Sequence, residues 1–154
     1  NFTLHWNGFG YLTGWKEPIG AGRAARRFSI QALIDDGATV SYSSDTTGMT
    51  RLYRTSPFFS MQIGHNRQEV GAAPNSEILP PISERLALVD IVNGYTQGGA
   101  YQLRYEDTLG SIEVGKEADL VVLDQDIFGV SRYDISKTTP TAVLIAGEVI
   151  QGKL

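Results

Sequence analysis

Apolar positions change their spacing several times along the chain, and each change marks an element. Between Arg23 and Asp36, residues Ile30, Leu33 and Ile34 recur at three- and four-residue intervals, which predicts a helix with one apolar face. Asp36-Gly37 supplies its stop. The next run, Ala38-Thr-Val-Ser-Tyr-Ser43, alternates polar and apolar side chains and contains β-branched residues, so it predicts a strand. Ser56-Pro57 has the form of an N-cap followed by proline at the first helical position. A helix from there through about Gln68 places Phe59, Ile63 and Arg67 near one face. Val70 to Pro81 shows no period and carries Pro74, Pro80 and Pro81, which reads as a linker. Ser83 then caps a further helix, with Leu88, Ile91, Val92 and Tyr95 at the i, i+3, i+4 and i+7 positions. Gly98-Gly99 breaks that helix, and Ala100 to Tyr105 fits another short helical turn.

Two stretches near the end predict strands. Leu120-Val-Val-Leu123 is apolar without alternation, which fits a strand buried on both faces, although so short a run also fits a helix. The glycine and charges that precede it favour the strand. Val143 to Ile150 reads as a strand, a glycine-containing turn and a second strand, hence a hairpin. At the other end, residues 1–22 are rich in aromatic residues and glycine and predict a long loop after a short strand tail at Phe2 to Leu4. Such a loop either packs its rings on a hidden surface or walls a partly apolar pocket.

Totals narrow the classes. A chain of 154 residues, 42% of them hydrophobic, is long enough for a real core. The net charge of −4 argues against a nucleic-acid footprint, which shows as a basic face. Arg23, Arg26 and Arg27 form the densest basic cluster and fit a solvated helix face better than a phosphate track, since no aromatic interleaving follows. The absence of cysteine excludes disulfides and thiolate metal sites. No apolar run approaches the roughly 20 residues of a membrane span, and no signal-like leader is visible. The compartment stays undetermined, with the cytoplasm favoured over secretion. The start without methionine reads as a piece of something longer.

Helix, glycine turn, strand and polar strand end make up one unit of an α/β fold, in which chemistry sits at the carboxyl ends of strands. Asp45 occupies that place, at the end of Ser43-Ser44-Asp45, where the two hydroxyls could hold its carboxylate. An aspartate so placed can bind a divalent metal and accept a proton. It can equally be a turn residue that closes a strand.

The stretch Gly110-Ser-Ile-Glu-Val-Gly-Lys-Glu-Ala-Asp-Leu-Val-Val-Leu-Asp124 decides between these. It resembles, almost letter for letter, the C-terminal signature of the amidohydrolase superfamily of metal-dependent hydrolases. The Val-Ser-Tyr-Ser-Ser-Asp ending at Asp45 looks like the last strand end of the family 3, or YtcJ-like, members. That group includes N-substituted formamide deformylase and proteins labelled exoenzyme regulatory protein. The resemblance runs from about Phe28 to the C-terminus. It implies the end of a TIM-like (β/α)8 barrel in residues 1–108, followed by the C-terminal strands of a small β-sandwich in 109–154. It also implies that Asp45 is both metal ligand and general base. Lys116 and Asp119 then have a structural task, fixing the turn into the small β-domain.

The departures from the family pattern carry as much information. With only His5 and His65, the chain has no His-x-His, and one aspartate cannot hold a zinc that needs three or four protein ligands. The resemblance therefore implies the C-terminal part of a hydrolase of amide, formamide or cyclic amide C–N bonds, inactive alone. A divalent metal, zinc first, would be held mainly by residues outside this chain. His5 falls where a substrate-facing loop begins, although a buried hydrogen-bonding histidine fits as well. Arg67 falls where the family often carries an arginine near the active-site mouth, able to anchor a carboxylate or carbonyl; a helix-surface pair with Glu69 or with the neighbours of Asp45 is the plainer reading. The other functional class is a non-catalytic regulatory or interaction module on the same fold; the third, an unrelated small α/β binding domain, requires the 110–124 match to be chance. Expected partners are a small-molecule amide-type substrate, no nucleic acid and no membrane. Unpaired strands of the β-domain would drive homo-oligomerisation or pairing with an N-terminal portion.

Overall fold

The computed structural model describes residues 1–8, 19–45 and 49–154, so most of the aromatic loop, including Phe9, Tyr11 and Trp15, lies outside the described residues. The helices are α1 (Ala21–Ala24), α2 (Ile30–Asp35), α3 (Pro57–Asn66), α4 (Leu88–Tyr95) and α5 (Gln97–Leu103). Short 3-10 turns occupy Leu4–Asn7, Met49–Thr55, Ile82–Glu84 and Ile135–Lys137. Strands β1 (Leu120–Leu123), β2 (Pro140–Ile145) and β3 (Glu148–Gly152) form one antiparallel sheet in the order β1-β2-β3.

Helix α3 is the centre of the molecule. Pro57 stands at its start, as expected, but Ser56 makes no side-chain capping bond. Phe58, Met61 and Ile63 are buried, and so are Ser60, Gln62, Gly64 and Asn66, which is why no single apolar stripe marks the helix in the sequence. Its polar residues tie it to the segment before β2. Gln62 Oε1 accepts the Ser136 N–H at 2.8 Å, and Asn66 Nδ2 donates to the Arg132 carbonyl at 2.9 Å. Around it the core joins Leu4, Ile30, Val40, Tyr42, Leu86, Ile91, Ile127 and Ile135.

Several elements differ from their expected form, each for a tertiary reason. The helix expected over Arg23–Asp36 is two pieces, α1 and α2, separated at Phe28, whose φ is 55°. The carbonyls of Arg27 and Phe28, which a continuous helix would use internally, accept hydrogen bonds from Arg67 instead. The second piece is capped from outside: Glu84 Oε2 accepts the Gln31 N–H at 2.8 Å. The 38–43 segment is extended and its Val40, Ser41 and Tyr42 are buried, but its only β pairing among the described residues is a single parallel bridge, Phe2 to Tyr42. Ser83 does not cap the next helix. It lies in the 3-10 turn, and α4 begins at Leu88 after Ala87. Gly98 and Gly99 do not break it either; Thr96, at φ −111° and ψ −88°, separates α4 from α5, and both glycines lie inside α5.

The sheet follows the expected segments with one difference. Among the described residues β1 pairs with β2 alone, and Val121 (54% exposed) and Val122 (39%) are not buried on both faces. Ala142 and Leu144 of β2 turn inward. The β2–β3 turn puts Ala146 (φ 50°) and Gly147 (φ 83°) in succession in the left-handed region, as a type I′ hairpin turn requires. The signature residues hold the entry to this sheet. Lys116 Nζ donates to the Glu106 carbonyl and the Ser111 hydroxyl, each at 2.7 Å, and Asp119 Oδ1 accepts the Ala146 N–H at 2.8 Å.

Candidate active site

Two extended segments build the candidate site. Phe2 donates its N–H to the Ser41 carbonyl at 2.9 Å, and Ser43 donates to the Phe2 carbonyl at 3.0 Å. This bridge sets residues 1–3 parallel to 41–43, so the continuations of both segments emerge at the same end. On one continuation is Asp45, exposed and left-handed at φ 46°, a conformation that aspartate tolerates better than most residues. On the other is the 3-10 turn of Leu4 to Asn7, anchored by the fully buried Leu4 and Asn7. The two meet where Trp6 Nε1 donates to Asp45 Oδ2 at 3.2 Å.

Of the two serines before Asp45, Ser43 bonds across to the neighbouring segment. Ser43 Oγ donates to Asn1 Oδ1 at 2.7 Å, and Asn1 Nδ2 in turn donates to Ser41 Oγ at 3.0 Å. These bonds fasten the two segments to each other. Trp6 reaches the Asp45 carboxylate itself.

His5 is buried, 1% exposed, and its ring lies 5.0 Å from the Trp6 ring at an interplanar angle of 39°. It is therefore next to the residue that touches Asp45. Arg67 is placed elsewhere. It is fully buried as the left-handed cap of α3, φ 54°, with its guanidinium directed at the backbone carbonyls of Leu79, Phe28, Glu84, Arg27 and Pro80. Burial pushes its pKa down to about 10, opposed by Glu84 and helped by Arg27. Its donors serve the packing of three loop segments, and Glu69 is not among its hydrogen-bond partners.

The structure also brings in Arg54, a residue that no motif or spacing singles out. Its guanidinium carbon lies 6.0 Å from the Trp6 ring centroid and 5.8 Å from that of Tyr53. The residue is 8% exposed, and burial lowers its pKa while Glu69 raises it. No spacing rule links positions 6, 45 and 54; the Phe2–Tyr42 bridge aligns the segments that lead to 6 and 45, and Arg54 reaches the Trp6 ring from the 3-10 turn that precedes α3.

Among the described residues, no three of His, Cys, Asp and Glu come together. The described residues alone therefore do not fit a zinc, to which Asp45 would supply one ligand. A cleft of about 360 Å³, lined by Thr39, Asp90, Asn93, Gln97 and Tyr101 among others, lies at the opposite end of the 38–45 segment and does not include Asp45.

Comparison with known proteins resolves the affiliation. The model of the amidohydrolase family matches residues 12–151. The chain belongs to the amidohydrolase family. An imidazolonepropionase of Bdellovibrio bacteriovorus is 28% identical over 124 residues, which is 80% of this chain and 25% of that protein. An imidazolonepropionase of Micrococcus luteus is 39% identical over 92 residues, 60% of this chain and 19% of that protein. Among solved structures, an amidohydrolase from Thermotoga maritima aligns with a TM-score of 0.54 at 22% identity, over 81% of this chain and 26% of the other. This amidohydrolase chain thus spans about a quarter of the length of the Bdellovibrio relative. The structural likeness shows the fold, and the described residues supply its mixture of helices and antiparallel sheet.

Proposed function

We propose that this chain is the C-terminal part of a metal-dependent amidohydrolase that hydrolyses a C–N bond in a small-molecule amide, formamide or cyclic amide. The observation that carries the reading is the placement of Asp45. It is an exposed carboxylate at the end of a buried extended segment, beside a parallel neighbour, in a chain that the amidohydrolase family model matches over residues 12–151. The parallel bridge supports the last two strands of a (β/α)8 barrel, with β1 to β3 as part of a small β-sandwich. The name imidazolonepropionase, carried by the matched relatives, points toward the cyclic amide arm.

In this reading Asp45 is the base: its carboxylate accepts the proton of the attacking water and returns it to the leaving nitrogen. A divalent ion, zinc first among candidates, would supply electrophilic polarisation. Asp45 would contribute one of its ligands, the others being expected from parts of the protein outside this chain. The 154 residues alone are expected to be inactive. His5 and Arg67 stay as proposals of different weight. His5 adjoins Trp6 and so lies within reach of the site, whereas Arg67 as placed supports the scaffold.

The test is zinc content and hydrolysis of an amide, formamide and cyclic amide panel by the complete protein. Asp45→Asn should abolish turnover while the circular dichroism spectrum stays unchanged. Turnover at the wild-type rate in that variant would remove Asp45 from the mechanism.

A further inference from the structure

We infer that Trp6 is a positioning residue for the Asp45 carboxylate, acting through its indole N–H on Oδ2. The inference rests on the reading of Asp45 as base. Asp45 is exposed and sits on a left-handed backbone, φ 46°, and the Trp6 indole N–H reaches its Oδ2 from a segment 39 positions away. The planar carboxylate becomes oriented once one of its oxygens is held, so the bond to Oδ2 also sets the direction of Oδ1.

Trp6 is well placed to do this because its own position is fixed three times over. The backbone turn carrying it is closed by the Trp6 N–H to the Thr3 carbonyl at 3.3 Å. Leu4, two residues earlier, is fully buried against Gly64 of α3, where a Cβ on residue 64 would come within 3.1 Å of the leucine side chain. The indole ring is flanked by the His5 ring at 5.0 Å and by the Arg54 guanidinium at 6.0 Å. A cation over the face of an indole draws on its π density, which makes the N–H a better donor to an anion. Arg54 therefore supports Asp45 indirectly, through the ring. Held geometry of this kind affects the chemical step more than substrate binding, because orientation of the base matters most in the transition state.

Trp6→Phe removes the N–H and keeps an aromatic, though smaller, ring. In the complete protein it is expected to lower kcat about tenfold, the scale of one hydrogen bond to a charged group, with KM changed less than about twofold. A second measurement needs no turnover. The Trp6 indole N–H resonance, identified by its loss in Trp6→Phe, is expected to move in Asp45→Asn, whose exposed site makes that variant safe for the fold. A still resonance in Asp45→Asn, or an unchanged kcat in Trp6→Phe, overturns the positioning role. The outcomes separate the two readings. If Asp45→Asn abolishes turnover while Trp6→Phe leaves kcat alone, the hydrolase reading stands and this inference falls. If Asp45→Asn turns over normally, Asp45 is not the base, and the catalytic part of this inference falls with it even where the resonance moves.

Discussion

Gly98 of α5 packs so tightly on Val40 that a Cβ at position 98 would overlap the Val40 carbonyl oxygen. One turn earlier Gly94 does the same against the ring of Tyr42. The α4–α5 corner is thus pressed directly onto the segment that ends at Asp45, and glycine is what permits the approach.

Gly98→Ala should therefore destabilise the fold by about 3 kcal/mol, since a backbone oxygen cannot swing aside as a side chain can. Gly99→Ala is the control. Its nearest neighbour would be the Gly94 carbonyl oxygen at 3.9 Å, an ordinary contact, so helix propensity should make that change neutral or favourable by about 1 kcal/mol. Urea unfolding of the two variants measures the contrast.

Arg67 makes a second stability prediction. Arg67→Met leaves the carbonyls of Leu79, Pro80, Arg27 and Phe28 without the donor they share, and should cost about 3 kcal/mol or more. Arg67→Lys should recover little of this, because a single ammonium cannot span a ring of carbonyls that a planar guanidinium fits. A full rescue by lysine in urea unfolding would show that charge alone matters there.

His65 predicts a pH dependence. Its Nδ1 lies 2.8 Å from the Leu86 carbonyl, and Arg132 Nη2 donates to Nε2 at 3.3 Å, so the ring is neutral with its proton on Nδ1. Burial holds its pKa below 6.5, with Arg132 and Arg85 acting in the same direction and the Leu86 bond opposing them. The unfolded chain then binds the proton more readily than the folded one. The stabilisation is complete above about 6.5 and is lost as pH falls from there through the folded pKa. Unfolding midpoints between pH 7.5 and 5 should decline in the wild type, and His65→Gln should flatten that decline.

What the sequence concealed follows from the same contacts. The spacing of Ile30, Leu33 and Ile34 correctly indicated helix, but the chain is interrupted at Phe28 by Arg67, a partner 39 residues away. Gly98-Gly99 looked like a break because glycine is a poor helix former, whereas here the close approach to Val40 requires it. The hairpin and β1 were legible because the turn chemistry is local. Asp45 was legible as the end of an alternating run. Trp6 was not, because the bond that joins it to Asp45 spans 39 positions and depends on a single parallel bridge.

Asp119 offers the most direct check on the role of the 110–124 signature. Its Oδ1 accepts the N–H of Ala146, a non-glycine residue held at φ 50°, while the Gly147 N–H donates to the Ala118 carbonyl at 3.1 Å. The signature aspartate thus clamps a turn that alanine adopts at a cost of about 1 kcal/mol. Asp119→Ala should destabilise the sheet by about 1–2 kcal/mol and accelerate hydrogen exchange at the Ala146 amide. Ala146→Asn, which suits the first position of a type I′ turn, should stabilise it by about 1 kcal/mol and partly offset the loss when both changes are combined. If Asp119→Ala abolished activity in the complete protein without loosening this turn, the signature would have a catalytic task rather than the structural one that its bonds describe.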